Sequence, residues 1–480
     1  MFPGQPAAVA ALAAFGVHRL ALTGAYLARR GVTARADAPA GELPRVTVQL
    51  PLYNERFVAA RLIAAAAALD YPADRLEIQV LDDSDDDTRA VAAQAVAAAR
   101  ASGVDITHVV RDERRGFKAG ALAAGMAAAR GELFLVLDAD FSPRPDLLHR
   151  VIGAFADPRV GFAQVRWQHA NRERSFLTRS QALLLDGHFF VEHHARWSGG
   201  HFFNFNGTAG VLRRDAIQDA GGWAADTLTE DLDLSYRMQI AGWRGVYLRD
   251  ETCDGDLPAT MADFKAQQRR WVEGSIQTAR KLARALAASP LPLATRLEAG
   301  LHLLTNFAYP AMLAAFLLAA PAVRGAPGAV PLAGVTGLVA MLGVLTFYGV
   351  AHHEGAPPRS GFLARALHAA GAIAGALALG AGLAVSNSLA VARGLVRRGG
   401  HFERTPKLTD QHARPAGYRA RIGLTPVAEI ALGTVLAYRA ALAIAAGMPL
   451  CAALFAVFAA GAIWVGAASL AGALEPSGAQ

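Results

Sequence analysis

Cysteine is almost absent: two residues in 480, Cys253 in the more polar first part and Cys451 inside an apolar run. That excludes a disulfide framework and suits a catalytic domain in a reducing, cytoplasmic compartment. Internal repeats and long low-complexity linkers are also missing, which excludes a repeat array; residues 31–44 read as a short polar tether. Ionisable side chains are scarce in the last third. Apart from His302, Glu429, Arg439 and, in the run 363–386, Arg365 and His368, the apolar runs there carry none, which argues against a proton or ion pathway. The balance of +7 is only mildly basic for this length, and no nucleic-acid partner is expected.

What the chain has in excess is apolar sequence. Its length leaves room for about two or three domains, and its mean hydropathy is positive. Runs near 299–323, 328–351, 363–386, 426–447 and 449–472 are each long enough to cross a bilayer. A further run at 7–28 is interrupted by His18-Arg19 and closed by Arg29-Arg30. Arginines after the run favour an anchor whose C-terminal side is cytoplasmic over a secretory signal. A peripheral or re-entrant helix is the alternative, because an arginine within a span costs about 2.5–3.5 kcal/mol. The segment 393–425 carries Arg393, Arg397, Arg398, Arg404, Lys407, Arg414, Arg419 and Arg421, and the positive-inside bias puts it on the cytoplasmic side. Parity then requires that one preceding run not cross. The Gly/Ala-rich 363–386, with the amphipathic 387–398 behind it, is expected at the interface. The expected arrangement is an integral, multi-pass protein of a bacterial inner membrane with a cytoplasmic catalytic domain.

Chemistry concentrates before residue 285. Leu133-Phe-Leu-Val-Leu-Asp-Ala-Asp140 is a short apolar run ending in two carboxylates at i and i+2. On a strand, that spacing sets both side chains on one face. At the carboxyl end of an open α/β sheet such a pair can hold a hard divalent cation through oxygen. Two earlier segments follow the same plan. Arg45-Val-Thr-Val-Gln-Leu50 runs into Pro51-Leu-Tyr-Asn-Glu55, and Leu76-Glu-Ile-Gln-Val-Leu81 ends at Asp82-Asp83-Ser84. Helical segments at roughly 55–69 and 86–101 follow them, so a mostly parallel sheet covered on both faces is expected.

Four later pieces lie in the same part. Arg114-Arg-Gly-Phe-Lys-Ala-Gly-Ala-Leu122 is a basic turn entering a small-residue helix. There Lys118 either reaches a phosphate oxygen beside the helix N-terminus or is a solvated surface lysine. Asn204-Phe-Asn-Gly-Thr-Ala-Gly210 is too rich in Gly and Asn for an element interior; it either sets backbone donors against a polyhydroxyl ligand or makes a turn. Thr229-Glu-Asp231 opens an amphipathic helix, with Thr229 suited to capping. Gln267-Gln-Arg-Arg-Trp271 lies on a helix, its Trp available to stack on a sugar or to anchor at the membrane interface.

In this order the pieces resemble the membrane-bound family-2 glycosyltransferases, in the cellulose-synthase-like and glucomannan-synthase-like branch. The resemblance spans about 49–407 and rests on Pro51-Leu-Tyr-Asn-Glu55, Val80-Leu-Asp-Asp-Ser84, Gly116-Phe-Lys-Ala-Gly-Ala-Leu122, Asp138-Ala-Asp140, Phe205-Asn-Gly-Thr208, Thr229-Glu-Asp231 and Gln267-Gln-Arg-Arg-Trp271. Phe402-Glu-Arg-Thr-Pro-Lys407 is similar to the gating loop of processive synthases. The resemblance implies an α/β, GT-A-type (Rossmann-like) catalytic domain at 44–255, preceded by a transmembrane anchor at 1–30. Amphipathic acceptor-side helices at 256–297 and a multi-pass α-helical membrane region at 298–480, with the cytoplasmic loop 393–425, would follow.

Roles are implied in the same way. Asp231 would be the catalytic base of an inverting displacement, and Asp138 and Asp140 would hold Mg²⁺ or Mn²⁺ on the donor diphosphate with Lys118 assisting. Asp83, with Asp82 and Glu55, would recognise the nucleoside. Phe205, Asn206, Gly207 and Thr208 would hold the terminal acceptor sugar, and Glu230, Gln267, Arg270 and Trp271 would line the acceptor and diphosphate side. Phe402, Arg404, Thr405 and Lys407 would gate. The implied partners are a nucleotide-sugar donor (UDP-glucose or GDP-mannose), a glycan or lipid acceptor, and membrane lipids; no residue assigns an export subunit. One departure touches the acceptor side: Asp254-Gly-Asp256-Leu-Pro258 stands where the family often has Glu before Leu-Pro.

Three functional classes follow. A β-glycan synthase accounts for the soluble motifs, the membrane runs and the gating-like segment together. A lipid glycosyltransferase adding one sugar to ceramide or diacylglycerol gives 402–407 less to do. A non-catalytic scaffold or a transporter leaves Asp138, Asp140 and Asp231 unexplained.

Overall fold

The computed structural model describes residues 5–34, 42–318, 329–356, 361–400 and 423–474; Phe402, Arg404, Thr405 and Lys407 lie outside them. Eight strands share one sheet: β1 (Val46–Leu52), β2 (Leu76–Asp82), β3 (Ile106–Val110), β4 (Leu133–Val136), β5 (Phe141–Ser142), β6 (Val160–His169), β7 (Gly210–Arg213) and β8 (Arg244–Gly255). Their order is β3-β2-β1-β4-β7-β6-β8-β5. The expected parallel arrangement holds for β1 to β4. Beyond β4 the sheet is mixed, because β7 runs antiparallel to both β4 and β6. The cause is local: the loop 201–209 passes the carboxyl end of β4, where Ala209 N–H donates to Val136 O at 2.9 Å, so β7 starts there and runs back down.

The central strands bury aliphatic side chains, with Val48, Leu50, Val80, Leu135 and Val211 in one core cluster. Pro51 lies inside β1 without breaking it. Gln49 O accepts from Leu137 N–H at 3.1 Å, so residues of that parity face β4, and β4 pairing stops at Gln49↔Val136. The amide hydrogen that Pro51 lacks would have had no ladder partner. From β1 the chain builds β2 and β3 on one side and then returns to place β4 on the other. The carboxyl ends of β1 and β4 therefore flank a topological switch point, where open α/β sheets bind ligands.

Among the described residues, six helices are long and apolar enough to cross a membrane: Ala7–Arg29, Leu293–Leu318, Thr336–Gly355, Phe362–Gly382, Thr425–Ala445 and Pro449–Gly472. Several of their ionisable groups have partners on neighbouring elements. Lys265, on the helix Met261–Ala288, places Nζ 2.8 and 2.7 Å from the two oxygens of buried Glu429. Arg439 donates to Leu317 O at 3.1 Å, and the Arg19 guanidinium lies 4.5 Å from the Phe347 ring centroid. Phe362–Gly382, the run expected at the interface, packs on the catalytic part: a Cβ on Gly375 would lie 2.7 Å from Ser180 Oγ and 2.9 Å from the Phe176 ring.

Candidate active site

A single cleft at the switch point gathers Glu55, Asp83, Lys118, Asp138, Asp140, Asn206, Glu230, Asp231, Gln267, Arg270 and Trp271. Three elements supply its centre. The helix Phe117–Ala128 brings Lys118 in, the turn after β4 brings the two aspartates, and the helix Glu230–Ile240 brings its first two residues. The aspartates do not share a strand face, because β4 ends at Val136. Asp138-Ala139-Asp140 is a tight turn, closed by Phe141 N–H donating to Asp138 O at 3.0 Å, and it turns both carboxyl groups to the cleft.

Lys118 ties these pieces together. Its Nζ donates to Asp138 Oδ1 at 2.6 Å and to Gly207 O at 2.8 Å, so the expected phosphate-binding lysine here also joins the aspartate turn to the 204–210 loop. Asp138 N–H donates to Thr208 Oγ1 at 2.9 Å, a second tie between the same two segments. Burial works to lower the Lys118 pKa, but Asp138, Glu230 and Asp231 outweigh it and the pKa is raised, keeping the ammonium charged. Arg270 is shifted down by burial, with Glu230 and Asp138 opposing.

Asp231 sits in the first turn of its helix, where Oδ1 accepts Leu232 N–H at 2.8 Å. A helix N-terminus lowers a carboxyl pKa, yet burial first and Glu230 second push Asp231 up to about 7, against Lys118. Burial also raises Glu230, again against Lys118. Thr229 occupies the cap position without capping; its hydroxyl meets Thr278 Oγ1 at 3.2 Å instead.

On the opposite side of the cleft Asp83 is held by the Arg111 guanidinium, with Nε donating at 2.7 Å, and the Arg114 guanidinium stacks 3.4 Å from the Tyr53 ring centroid. Asp256, the residue that departs from the family pattern, lines the cleft and pairs with Arg61 at 3.0 Å. Four expected residues lie behind the lining, Gly207 among them, backed onto Asp231 and Lys118. Asp82 is fully buried, accepting from Ser84 N–H and contacting His108 Nε2, both at 2.9 Å. Phe205 is a core residue packed with Phe162, Phe189 and Phe203. Thr208 is buried and acts through the Asp138 bond. Lining residues to which the sequence reading gave no role include Tyr53, Arg114, Trp167 and His169. Trp167 and His169 end β6 at i and i+2, the same spacing that marked Asp138 and Asp140. Burial, aided by Arg172 and Arg166, lowers His169 to about 3, so its ring is neutral.

Residues 44–274 match the protein family described as "Glycosyltransferase like family 2". They are a family-2 glycosyltransferase domain. Its curated relatives include glucomannan 4-beta-mannosyltransferase 2 of Arabidopsis thaliana, 42% identical over 244 residues, which are 50% of this chain and 46% of the relative. Glucomannan 4-beta-mannosyltransferase 1 of Oryza sativa subsp. japonica is 41% identical over 244 residues, 50% of this chain and 47% of the relative. The chain thus spans about half the length of the curated relatives it matches. The mannosyltransferase of Pyrobaculum calidifontis, solved in complex with GDP-Man and Mn²⁺, aligns with a TM-score of 0.51 at 25% identity, over 72% of this chain and 98% of its own. The fold of the glycosyltransferase domain is therefore GT-A-like.

One glycine in this domain lies directly against Asp231. Gly207 has φ +80°, and a Cβ there would lie 2.6 Å from Asp231 Oδ2 and 3.3 Å from Lys118 Nζ. Left-handed backbone costs an L-residue about 1–2 kcal/mol, and the added methyl must displace the Asp231 carboxylate. Gly207→Ala is expected to retain folding with a modest drop in thermal midpoint and to reduce glycosyl transfer by about two orders of magnitude. A radiolabel transfer assay beside a melting curve checks both; unaltered transfer would show that the Asp231–Gly207 contact has no part in catalysis.

Proposed function

We propose that the protein is an inverting hexosyltransferase that extends a β-linked glycan at a membrane, with GDP-mannose favoured over UDP-glucose as donor. The observation that carries this reading is the convergence of half-buried Asp231, its pKa pushed up to about 7, on the cleft that also holds Lys118 and the Asp138–Asp140 turn. The choice of mannose is supported by the names of the relatives and by the GDP-Man in the Pyrobaculum calidifontis structure.

In this reading Asp231 takes the proton of an acceptor hydroxyl as its oxygen bonds to the anomeric carbon. The anomeric carbon–phosphate oxygen bond breaks, and the nucleoside diphosphate leaves with the electron pair. Attack from the face opposite the leaving group converts an α-linked donor into a β-linked product. Lys118 and Arg270 supply fixed positive charge to the departing diphosphate. Glu55 and Asp83 lie at the nucleoside end, Gln267 and Trp271 on the acceptor side. Asp138 and Asp140 would hold Mg²⁺ or Mn²⁺, which supplies further charge compensation when bound. The donor set fits such an ion. Among the described residues no group of three or more His, Cys, Asp or Glu could hold a metal, and these hard ions commonly bind one or two carboxylates plus substrate phosphates. The catalytic domain and the basic segment 393–425 share the cytoplasmic side, with Phe362–Gly382 at the interface, in keeping with its packing against Phe176 and Ser180.

Membranes containing the protein, incubated with GDP-[¹⁴C]mannose or UDP-[¹⁴C]glucose, test the reading. Label is expected in material excluded from a gel-filtration column, with GDP-mannose the better donor. Label confined to solvent-extractable glycolipid would instead establish a lipid glycosyltransferase. No transfer from either donor, under conditions where both nucleotides bind, would overturn the enzymatic reading.

A further inference from the structure

Asn206 lines the cleft, and its amide meets two histidines that sit on the π-helix Gly187–His193. His193 Nε2 contacts Asn204 O at 3.0 Å and Asn206 Oδ1 at 2.8 Å. A backbone carbonyl only accepts, so Nε2 carries the proton and donates, and the Asn206 atom facing it is the amide oxygen. The other end of that amide is then fixed. Asn206 Nδ2 donates to His188 Nε2 at 3.0 Å, which requires His188 to carry its proton on Nδ1. That proton points to Glu192 Oε2 at 3.3 Å. Burial holds the His193 pKa well below its ordinary value, in keeping with the single-proton form.

The backing of this arrangement is buried and charged. Arg196, with a side chain only 1% exposed, reaches Glu192 at 3.4 Å and Glu298 Oε1 at 2.9 Å, and Glu298 Oε2 meets His18 Nε2 of the N-terminal apolar helix at 2.8 Å. Burial works against the Glu192 charge, but Arg196 and His188 outweigh it and hold its pKa well below the usual carboxylate range. The π-helix itself makes the pairing possible. At about 100° per residue, positions five apart on an α-helix point about 140° away from each other; here the His188 and His193 ring centroids lie 4.1 Å apart. The i→i+5 winding, often found at functional sites, brings both rings to one side.

We propose that His188 and His193 are positioning residues that lock the Asn206 amide, fixing the directions in which its remaining N–H and its remaining oxygen lone pair can meet a hydroxyl of the acceptor sugar. What remains follows from valence: the amide has two N–H groups and two lone pairs, and the histidines use one of each. Asn206 N–H is separately held by Gln164 Oε1 at 2.9 Å, so the backbone beneath the amide is also fixed. The inference rests on the glycan-extending reading above for the identity of the acceptor, but not for the geometry of the lock.

Two experiments test it on the full-length protein in nanodiscs. The first follows transfer from GDP-mannose to β-1,4-mannotetraose. His188→Leu is expected to lower kcat/KM for the acceptor about tenfold while the GDP Kd is unchanged, and His188→Gln, which keeps an acceptor oxygen, should recover part of the loss. The double variant with Asn206→Ala should be no worse than Asn206→Ala alone. Multiplicative losses would mean that His188 does not act through Asn206. Among tetraoses lacking a single hydroxyl of the terminal mannose, at least one should be a poorer acceptor for the wild type and an equally good one for Asn206→Ala; no such difference for any of them overturns the assignment of Asn206 to the acceptor.

The second experiment reads the lock without turnover. ¹⁵N-histidine NMR, assigned by single His→Gln variants, should show His188 protonated at Nδ1 and His193 at Nε2, with the His188 Nε2 signal moving in Asn206→Ala. The opposite tautomers, or an unmoved signal, would overturn the lock even if wild-type transfer to mannotetraose is robust. The expected tautomers without any transfer would leave the lock standing and sink only the acceptor reading.

Discussion

Asp231→Asn is expected to lower turnover by about 10²–10⁴-fold, the range typical of losing a general base, while the affinity for GDP stays essentially unchanged. The separation follows from position. Asp231 opens the helix Glu230–Ile240 beside the Gly207–Thr208 loop, whereas Asp83 and Glu55 lie at the β1–β2 end of the cleft. Asparagine keeps the size and can still accept Leu232 N–H, so the loss reports proton removal. The pH dependence gives a second readout. The base acts as a carboxylate, and its pKa in the free protein is pushed up to about 7, so kcat/KM should fall as pH drops below about 7 and level off above it. Glu230→Gln removes the neighbouring charge that contributes to the upward shift, so the ascending limb should move to lower pH. An Asp231→Asn protein that no longer binds GDP but keeps its rate at saturating donor would show that the assignment is wrong.

Much of this site was legible because strand ends announce themselves. Apolar runs that stop at Glu55, Asp83 and Asp140 had to place those acids along one sheet edge, and the parallel pairing of β1, β2 and β4 does so. The period of two also explains what the motifs blur. Asp82 and Asp83 are chemically identical neighbours, but successive residues at a strand end point to opposite sides. Asp82 therefore turns inward to His108 and Ser84, and Asp83 toward the cleft and Arg111. Trp167 and His169 carried the same i, i+2 signal at the end of an apolar strand and were readable in principle. The histidine lock was not. A spacing of five has no meaning on an α-helix, and nothing in Gly187-His-Phe-Phe-Val-Glu-His193 announces that the winding changes. The Lys265–Glu429 pair was hidden for a different reason: its members lie 164 residues apart, and only packing of Met261–Ala288 on Thr425–Ala445 joins them.

Chelation should abolish transfer, and metal binding should depend on the nucleotide. The argument is one of ligand count. Asp138 and Asp140 are the carboxylates that the turn after β4 turns to the cleft, and one oxygen of Asp138 is already engaged by Lys118 at 2.6 Å. With no third His, Cys, Asp or Glu grouped near enough among the described residues, the protein alone offers too few ligands for tight binding of a six-coordinate ion. Diphosphate oxygens complete the set. Titration of Mn²⁺ by calorimetry or electron paramagnetic resonance should therefore show weak binding to the free protein and binding about 10–100-fold tighter with GDP present, and by reciprocity GDP should bind that much tighter with Mn²⁺. Asp140→Asn should erase this mutual enhancement and reduce transfer by at least about two orders of magnitude, since a divalent ion contributes several kcal/mol of charge stabilisation to a leaving diphosphate. Asp138→Asn should do the same and also release Lys118, so its thermal midpoint is expected to fall further than that of Asp140→Asn. Full transfer in excess EDTA, or GDP affinity indifferent to Mn²⁺, would leave Lys118 and Arg270 as the whole of the charge compensation and remove the metal from the reaction.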